Sequence, residues 1–233
     1  MKRNRAGGCR RAQFVRLLQH AYSGELGAAL GYAGHATSVA DPAERDHIRQ
    51  IRREELDHRA WLGGMLRDLG APPDRGLELR NACLGCAIAA FCHAGGWFLP
   101  MYGAGWIEAR NIAEYERAAC LARECSLLSY VDTLLEMAEA EWEHARFFRL
   151  KAASHPMAAV LRLWPEPAPK AAIRDQARRV RPREALATRR ARRGGAGASS
   201  PPAAASAVVG SLVAPLAEVV SSSGGGAGWI SAD

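Results

Sequence analysis

Two short stretches carry the chemistry this sequence can do: Glu55-Leu56-Asp57-His58 and Glu141-Trp142-Glu143-His144. Each places a carboxylate and an imidazole three residues apart, so on a helix both side chains project from one face toward one point. A single Glu-x-x-His is a weak signal, because charged helices produce it by chance. Two copies, each preceded in the chain by an isolated Glu inside an apolar helical stripe (Glu25 and Glu108), are hard to reach by accident. Four carboxylates and two imidazoles offer hard oxygen and borderline nitrogen donors, which suit iron or manganese better than calcium or thiolate-bound zinc. The set Glu25, Glu55, His58, Glu108, Glu141 and His144 is the ligand count of a two-metal carboxylate site inside a four-helix bundle. Two dications and four carboxylates cancel, so such a site can be buried near neutrality. Without metal, the same residues would bury carboxylates that lack partners, at roughly several kcal/mol each.

The elements that must position these residues read as helices. From about Arg11 to His35 one stripe runs Phe14, Leu18, Ala21, Glu25, Ala28 (or Ala29), Tyr32, with a single charge among apolar residues. Asp41-Pro42-Ala43-Glu44 is a helix start, with an N-cap Asp, Pro at the first position and Glu at the third. That helix is expected to reach about Leu69, with Gly70 after its end and Pro72-Pro73 as the stop. Its stripe is Ile48, Ile51, Glu55, His58, Leu62, Met65. In an antiparallel hairpin, residues equidistant from the turn lie at one height. The midpoint of Glu25 and Glu55 is position 40, beside Asp41-Pro42, so the two carboxylates are expected to face each other.

The stretch from Leu84 to Ile107 is apolar and rich in glycine, with Pro100 expected to break it. It is long enough to span a membrane, but the glycines and His93 favour a helix buried in the bundle or dipping into a bilayer interface. From Trp106 a new stripe reads Glu108, Ile112, Tyr115, Ala119, Ala122. Glu114 falls instead with Arg110 and Arg117 on a solvated face, so Glu108 is the ligand candidate and Glu114 the alternative. The midpoint of Glu108 and Glu141 lies between positions 124 and 125, at Glu124-Cys125-Ser126, a turn without Gly or Pro. A pairing through Glu114 would centre the turn near Ser126 to Ser129. The last helix carries Leu127, Val131, Leu134, Ala138, Glu141, His144 and Phe148. Tyr115, two turns beyond Glu108, is expected beside the metals. Glu54 is the candidate to bond His144 across the bundle, whereas its counterpart before Glu141 is Ala140, an asymmetric arrangement.

Charge is unevenly spread. Residues 1–150 hold 19 Lys+Arg against 19 Asp+Glu, and residues 151–233 hold 12 against 5, so the excess sits at the C-terminal side and no nucleic-acid partner is expected of the bundle. The six cysteines and the basic Met1 to Arg16, which lacks an apolar run, lead us to expect reduced thiols, no secretory leader and a cytoplasmic location. Cys83-x-x-Cys86 has no second pair to complete a tetrahedral site, and reads as small apolar side chains. The expected organisation is all-α: a flexible basic arm over 1–11, an antiparallel four-helix bundle over 12–155, and a Pro/Arg/Ala/Gly-rich tail over 156–233 that composition marks as disordered.

Over about residues 12–155 the chain resembles the ferritin-like di-iron proteins and, within them, the demethoxyubiquinone hydroxylases of ubiquinone biosynthesis. The resemblance rests on Ser23-Gly24-Glu25-Leu26-Gly27-Ala28 with Tyr32-Ala33-Gly34, on Glu55-Leu56-Asp57-His58, on Ile107-Glu108 with Tyr115, and on Glu141-Trp142-Glu143-His144. It implies a ferritin-like bundle with two iron ions (manganese being compatible), held by the six residues named above. It also implies an O2-dependent monooxygenase acting on an apolar quinone ring, with NADH as reductant. Tyr115 would position substrate or pass electrons. The apolar, Gly-rich segment is similar to the one that family uses near its membrane-facing substrate channel, which implies peripheral contact through 84–107 with the inner face of the cell membrane. One departure is that Glu108-Ala109-Arg110-Asn111 lacks the second Glu those hydroxylases usually show. Two rival readings use the same residues: a ferroxidase or peroxide-scavenging, rubrerythrin-like protein, and a non-catalytic metal- or membrane-binding bundle. A homo-oligomer is compatible with the sequence, which does not set the state of assembly.

Overall fold

A computed structural model describes residues 2–179, and all regular structure there is helical. The helices are α1 (Lys2–Ser38), α2 (Pro42–Asp68), α3 (Arg75–Ala94), α4 (Phe98–Glu124), α5 (Val131–Ala153) and α6 (Ala171–Arg179), with 3-10 turns at Leu128–Tyr130 and Pro156–Ala159. Residues 2–11, read from composition as an arm, continue the helix of α1. Helix α1 packs along α2, α3 and α4, and α4 packs along α5.

Two apolar clusters lie at different heights along the helices. One gathers Phe14 and Leu18 of α1, Leu62 and Leu66 of α2, Ile112 and Ala119 of α4, and Leu134 and Met137 of α5. The other gathers Tyr32, Ile48, Ile51, Met101 and Phe148. Glu25 on α1, Glu55 and His58 on α2 and Glu108 on α4 fall between the segments that feed these clusters, and Glu141 and His144 lie where the two clusters meet on α5. Apolar packing therefore lies on both sides of a polar layer that these helices share.

Local signals place the helices. Asp41 caps α2, its carboxylate accepting from the Glu44 N–H at 2.8 Å, with Pro42 at the first position. At the other end Gly70 takes φ +66°, and the Ala71 N–H closes on the Leu66 carbonyl at 2.9 Å. The hairpin turn between α1 and α2 therefore sits at residues 39–41, where the Glu25–Glu55 midpoint placed it. Helix α3 starts earlier than its apolar run suggests, because Asp74 caps the N–H groups of Gly76 and Leu77. The expected break at Pro100 falls instead at Gly95-Gly96, where Gly96 adopts φ +69°. Pro100 lies in the first turn of α4, where a missing N–H costs no helical hydrogen bond. Between α4 and α5 the turn is made by Ser126 at φ +59°, a conformation unusual for a residue with a Cβ. That is why neither Gly nor Pro marked it.

Helix α3 approaches α1 closely through glycines. A Cβ on Gly34 would collide with Ala89, and one on Gly85 with the backbone of Gly27. The rest of α3 faces outward: Leu79 is 68% and Phe91 50% exposed, and Cys83, Leu84 and Cys86 lie on the same uncovered side. Cys83 and Cys86 are thus surface thiols rather than core residues. Leu99 and Trp106 of α4 add to the exposed apolar surface. No described helix is long and apolar enough to cross a membrane.

The expectation of disorder from residue 156 is corrected for the described part of that segment. Trp164 is buried against Gly105 and Phe148, and its ring meets Tyr102 edge-on at 5.5 Å. The Trp142 indole N–H donates to the Ala168 carbonyl at 2.8 Å, and Arg174 forks onto Glu139 at 2.6 and 3.1 Å. The buried Trp164 and these two contacts dock a Pro-rich segment that composition alone marks as loose. Residues 180–233, the greater part of the expected tail, lie outside the described residues. Trp164→Ala should therefore cost about 3 kcal/mol or more, as for other buried Trp truncations, read as a lower denaturation midpoint at unchanged slope. A change within a few tenths of a kcal/mol would show that the segment is not docked.

Candidate metal centre

The six residues singled out by spacing meet in the polar layer. Glu25, Glu55, His58, Glu108, Glu141 and His144 are all buried, Glu55 and Glu141 completely. The His58 Nδ1 lies 3.3 Å from Glu141 Oε1 and 3.8 Å from Glu55 Oε2. The His144 Nδ1 lies 3.2 Å from Glu55 Oε1 and 3.8 Å from Glu141 Oε2. Each imidazole is thus nearer the carboxylate of the opposite helix than the one on its own, a near-twofold pattern. Two ligand sets result, each with donor atoms within 4.8 Å of one another: Glu25, Glu55, His58, Glu141 and Glu55, Glu108, Glu141, His144. Glu55 and Glu141 belong to both.

Both Glu55 oxygens, Glu141 Oε1 and the two Nδ1 atoms are cut off from solvent and have no hydrogen-bond partner. Buried polar atoms are ordinarily satisfied, since leaving one unpaired costs about 1–3 kcal/mol. Here five such atoms lie within ion-pair distance of one another without hydrogen-bond geometry, as donors around a shared cation would. Their chemistry fits a pair of divalent ions: oxygen and imidazole donors, four carboxylates, and no thiolate in either set.

Glu114 is not among them. Six residues from Glu108 on a helix of 3.6 per turn, it lies about 120° around the axis. Burial and the charge of Glu141 push its carboxyl up, while Arg117 and Arg110 pull it back. Helical face, not height, decides between the two.

Around the six residues the structure adds partners. His144 Nε2 meets Glu54 Oε2 at 2.6 Å, the cross-helix contact read from the sequence. The Tyr115 hydroxyl donates to Glu25 Oε1, one helix away from the Glu108 with which it shares a stripe. Two further partners were not legible. The Tyr32 hydroxyl donates to Glu108 Oε1, and Asn111 Nδ2 donates to Glu108 Oε2 at 3.0 Å and reaches Glu141 Oε2 at 3.5 Å. Tyr32 reads as an ordinary core aromatic in its stripe. Asn111 stands three residues after Glu108, a spacing that could have marked it.

The protonation pattern of the metal-free cluster follows from burial and proximity. Burial, with the charge of Glu55, pushes the Glu25 carboxyl well above the usual carboxylate range; burial and the charge of Glu141 do the same to Glu108. Burial and Glu141 also push Glu55 up, but contacts with Glu25 and the imidazoles outweigh them and hold it low. Glu141 is held low against burial by Glu108, His144 and His58. Burial opposes the charge on His58, yet contacts with Glu141 and Glu55 raise it to about 9. His144 is raised well above its ordinary value, against burial, by Glu141, Glu54 and Glu55. These directions favour protons on Glu25, Glu108, His58 and His144 and charge on Glu55 and Glu141, a set that sums to zero.

All-helical structure and two overlapping carboxylate–imidazole sets define the class: an α-protein with a buried cluster that could hold metal ions. The particular likeness is to enzymes named 3-demethoxyubiquinol 3-hydroxylase. Those of Bordetella parapertussis and Bordetella bronchiseptica are 40% identical over 57 residues, 24% of this chain and 26% of theirs. That of Francisella tularensis subsp. novicida is 39% identical over 57 residues, 24% of this chain and 27% of its own. The chain thus spans about a quarter of the length of the curated relatives it matches. No family model and no solved structure matches it.

The raised Glu25 carboxyl has a measurable consequence. The folded, metal-free chain keeps a proton there that the unfolded chain releases above about pH 4.3, so this residue's contribution to stability declines as pH rises from that point toward its folded value. Glu25→Gln removes the penalty and keeps an oxygen for Tyr115. In chelator at pH 8 the variant should be more stable than the parent by about 1 kcal/mol or more, and the gain should vanish near pH 4. A variant destabilised equally at both pH values would contradict the assignment.

Proposed function

We propose that α1, α2, α4 and α5 form a ferritin-like antiparallel four-helix arrangement whose polar layer binds two iron ions, manganese being compatible. On this reading the chain is an O2-dependent hydroxylase of a quinone-type apolar ring, working at a membrane surface with NADH as the electron source. The observation that carries the reading is the convergence of five orphaned buried donor atoms from Glu55, Glu141, His58 and His144; the partial likeness to the hydroxylases supports the choice of reaction. Bound iron would supply the activation of dioxygen. The residues of the chain do the rest. Glu55 and Glu141 serve both positions, while Glu25 with His58 and Glu108 with His144 complete one each. Tyr115 holds Glu25 through its hydroxyl and is the residue we assign to positioning the substrate or passing electrons. The apolar clusters above and below exclude water from the layer.

The uncovered face of α3 supports the membrane element. Leu79, Leu84 and Phe91, with Leu99 and Trp106, form an apolar surface that a bilayer interface would cover. A peroxide-scavenging or iron-oxidising protein of the same class has no need of it, which favours the hydroxylase over that rival.

The test is oxygen uptake by the iron-loaded chain on anionic lipid vesicles holding a demethoxyquinol, against Fe²⁺ or peroxide alone. The reading expects uptake coupled to formation of the hydroxylated ring, with Tyr115→Phe retaining its metal while turnover falls about tenfold or more, and Phe91→Glu losing vesicle binding. Turnover with Fe²⁺ or peroxide but not with quinol would replace the hydroxylase by the ferroxidase. No oxygen uptake from any donor would leave a non-catalytic bundle.

A further inference from the structure

The two metal positions are not built alike. Around the His144 position, Glu108 receives the Tyr32 hydroxyl on one oxygen and Asn111 Nδ2 on the other at 3.0 Å. His144 Nε2 meets Glu54 Oε2 at 2.6 Å, and Glu54 Oε1 is itself held by Gln50 Nε2 at 2.7 Å. On this side both Glu108 oxygens and the outer nitrogen of His144 thus have partners that fix them. Around the His58 position there is less. Glu25 receives the Tyr115 hydroxyl, but the residue that corresponds to Glu54, one before the Glu of the second motif, is Ala140. No carboxylate can reach His58 from there. Its ring is instead flanked by aromatic ones, Trp61 at 5.7 Å and Tyr115 at 6.0 Å.

A carboxylate on the outer nitrogen of a ligating imidazole fixes the tautomer, so that the other nitrogen presents its lone pair to the metal. It also locks the ring plane and makes the donor more basic. Loss of such partners typically costs about 10–100-fold in metal affinity. Building on the metal reading above, we infer that the two positions differ in affinity: the His144 position fills first and tightly, the His58 position second and weakly, and Glu54 is the positioning residue that sets the difference. The asymmetry gives the chain one retained ion and one exchangeable ion.

The test uses Co²⁺, whose visible absorption responds to its ligands, titrated into the full chain and checked by elemental analysis after dialysis. Two steps at least about tenfold apart are expected. Glu54→Ala should weaken the tighter step by about 10–100-fold and change its spectrum, leaving the weaker step in place. Glu54→Gln, which can still accept from Nε2–H, should recover part of the loss. Ala140→Glu supplies the missing carboxylate and should tighten the weaker step, so the inference stays testable even if Glu54→Ala folds poorly; melting of the metal-free variants shows whether it does. A single indistinguishable step, or substitutions at 54 and 140 that move neither step, overturns the inference and leaves the metal reading standing. Failure to bind any cobalt overturns the metal reading beneath it.

Discussion

Four carboxylates share one buried layer, and everything else in the structure answers to that constraint. Charges removed from water must be cancelled locally, because Coulomb energies grow as the surrounding dielectric falls. In the metal-free chain protons favour that cancellation: burial and neighbouring charge raise Glu25 and Glu108, and contacts with Glu55 and Glu141 raise His58 and His144. Two divalent cations would cancel them equally well, in exchange for those same protons. The layer is therefore a switchable charge balance, neutral in either state, which explains how apolar clusters can be packed against both of its sides.

That balance requires the six groups to be held at one height. Short, strongly capped connections do this on one side, where Asp41 and Pro42 turn the chain three residues after α1 ends. Ser126, held with a positive φ, does it on the other. Glycines let α3 press against α1, which leaves its outer face uncovered, and the segment carrying Trp164 closes over Gly105. The polar layer, the uncovered helix and the docked segment thus all touch α1 or α4.

Much of the site was legible because a helix converts spacing into direction. Glu and His three apart, single Glu residues inside apolar stripes, and hairpin midpoints together located the six clustered residues, and even the Glu54–His144 contact. What was not legible depends on contacts between helices far apart in sequence. Tyr32 bonds a residue 76 positions away, and nothing in its own stripe distinguishes it from packing. The docking of residues 156–175 likewise depends on Trp164 finding a gap over Gly105, which no local composition encodes. The start of α3 is marked by a cap rather than by apolar residues: Asp74, four residues beyond Gly70, begins a first turn that is largely polar and precedes the apolar run.

The central claim is that the buried layer exchanges protons for metal. The measurement that tests it most directly counts both in one experiment: anaerobic addition of Fe²⁺ to the metal-free chain in weakly buffered solution near pH 6.5, with bound iron and released protons followed together. The account predicts close to two iron ions bound and roughly four protons released per chain, one each from Glu25, Glu108, His58 and His144. Iron bound without proton release would contradict the charge balance. No iron bound would contradict the metal site itself.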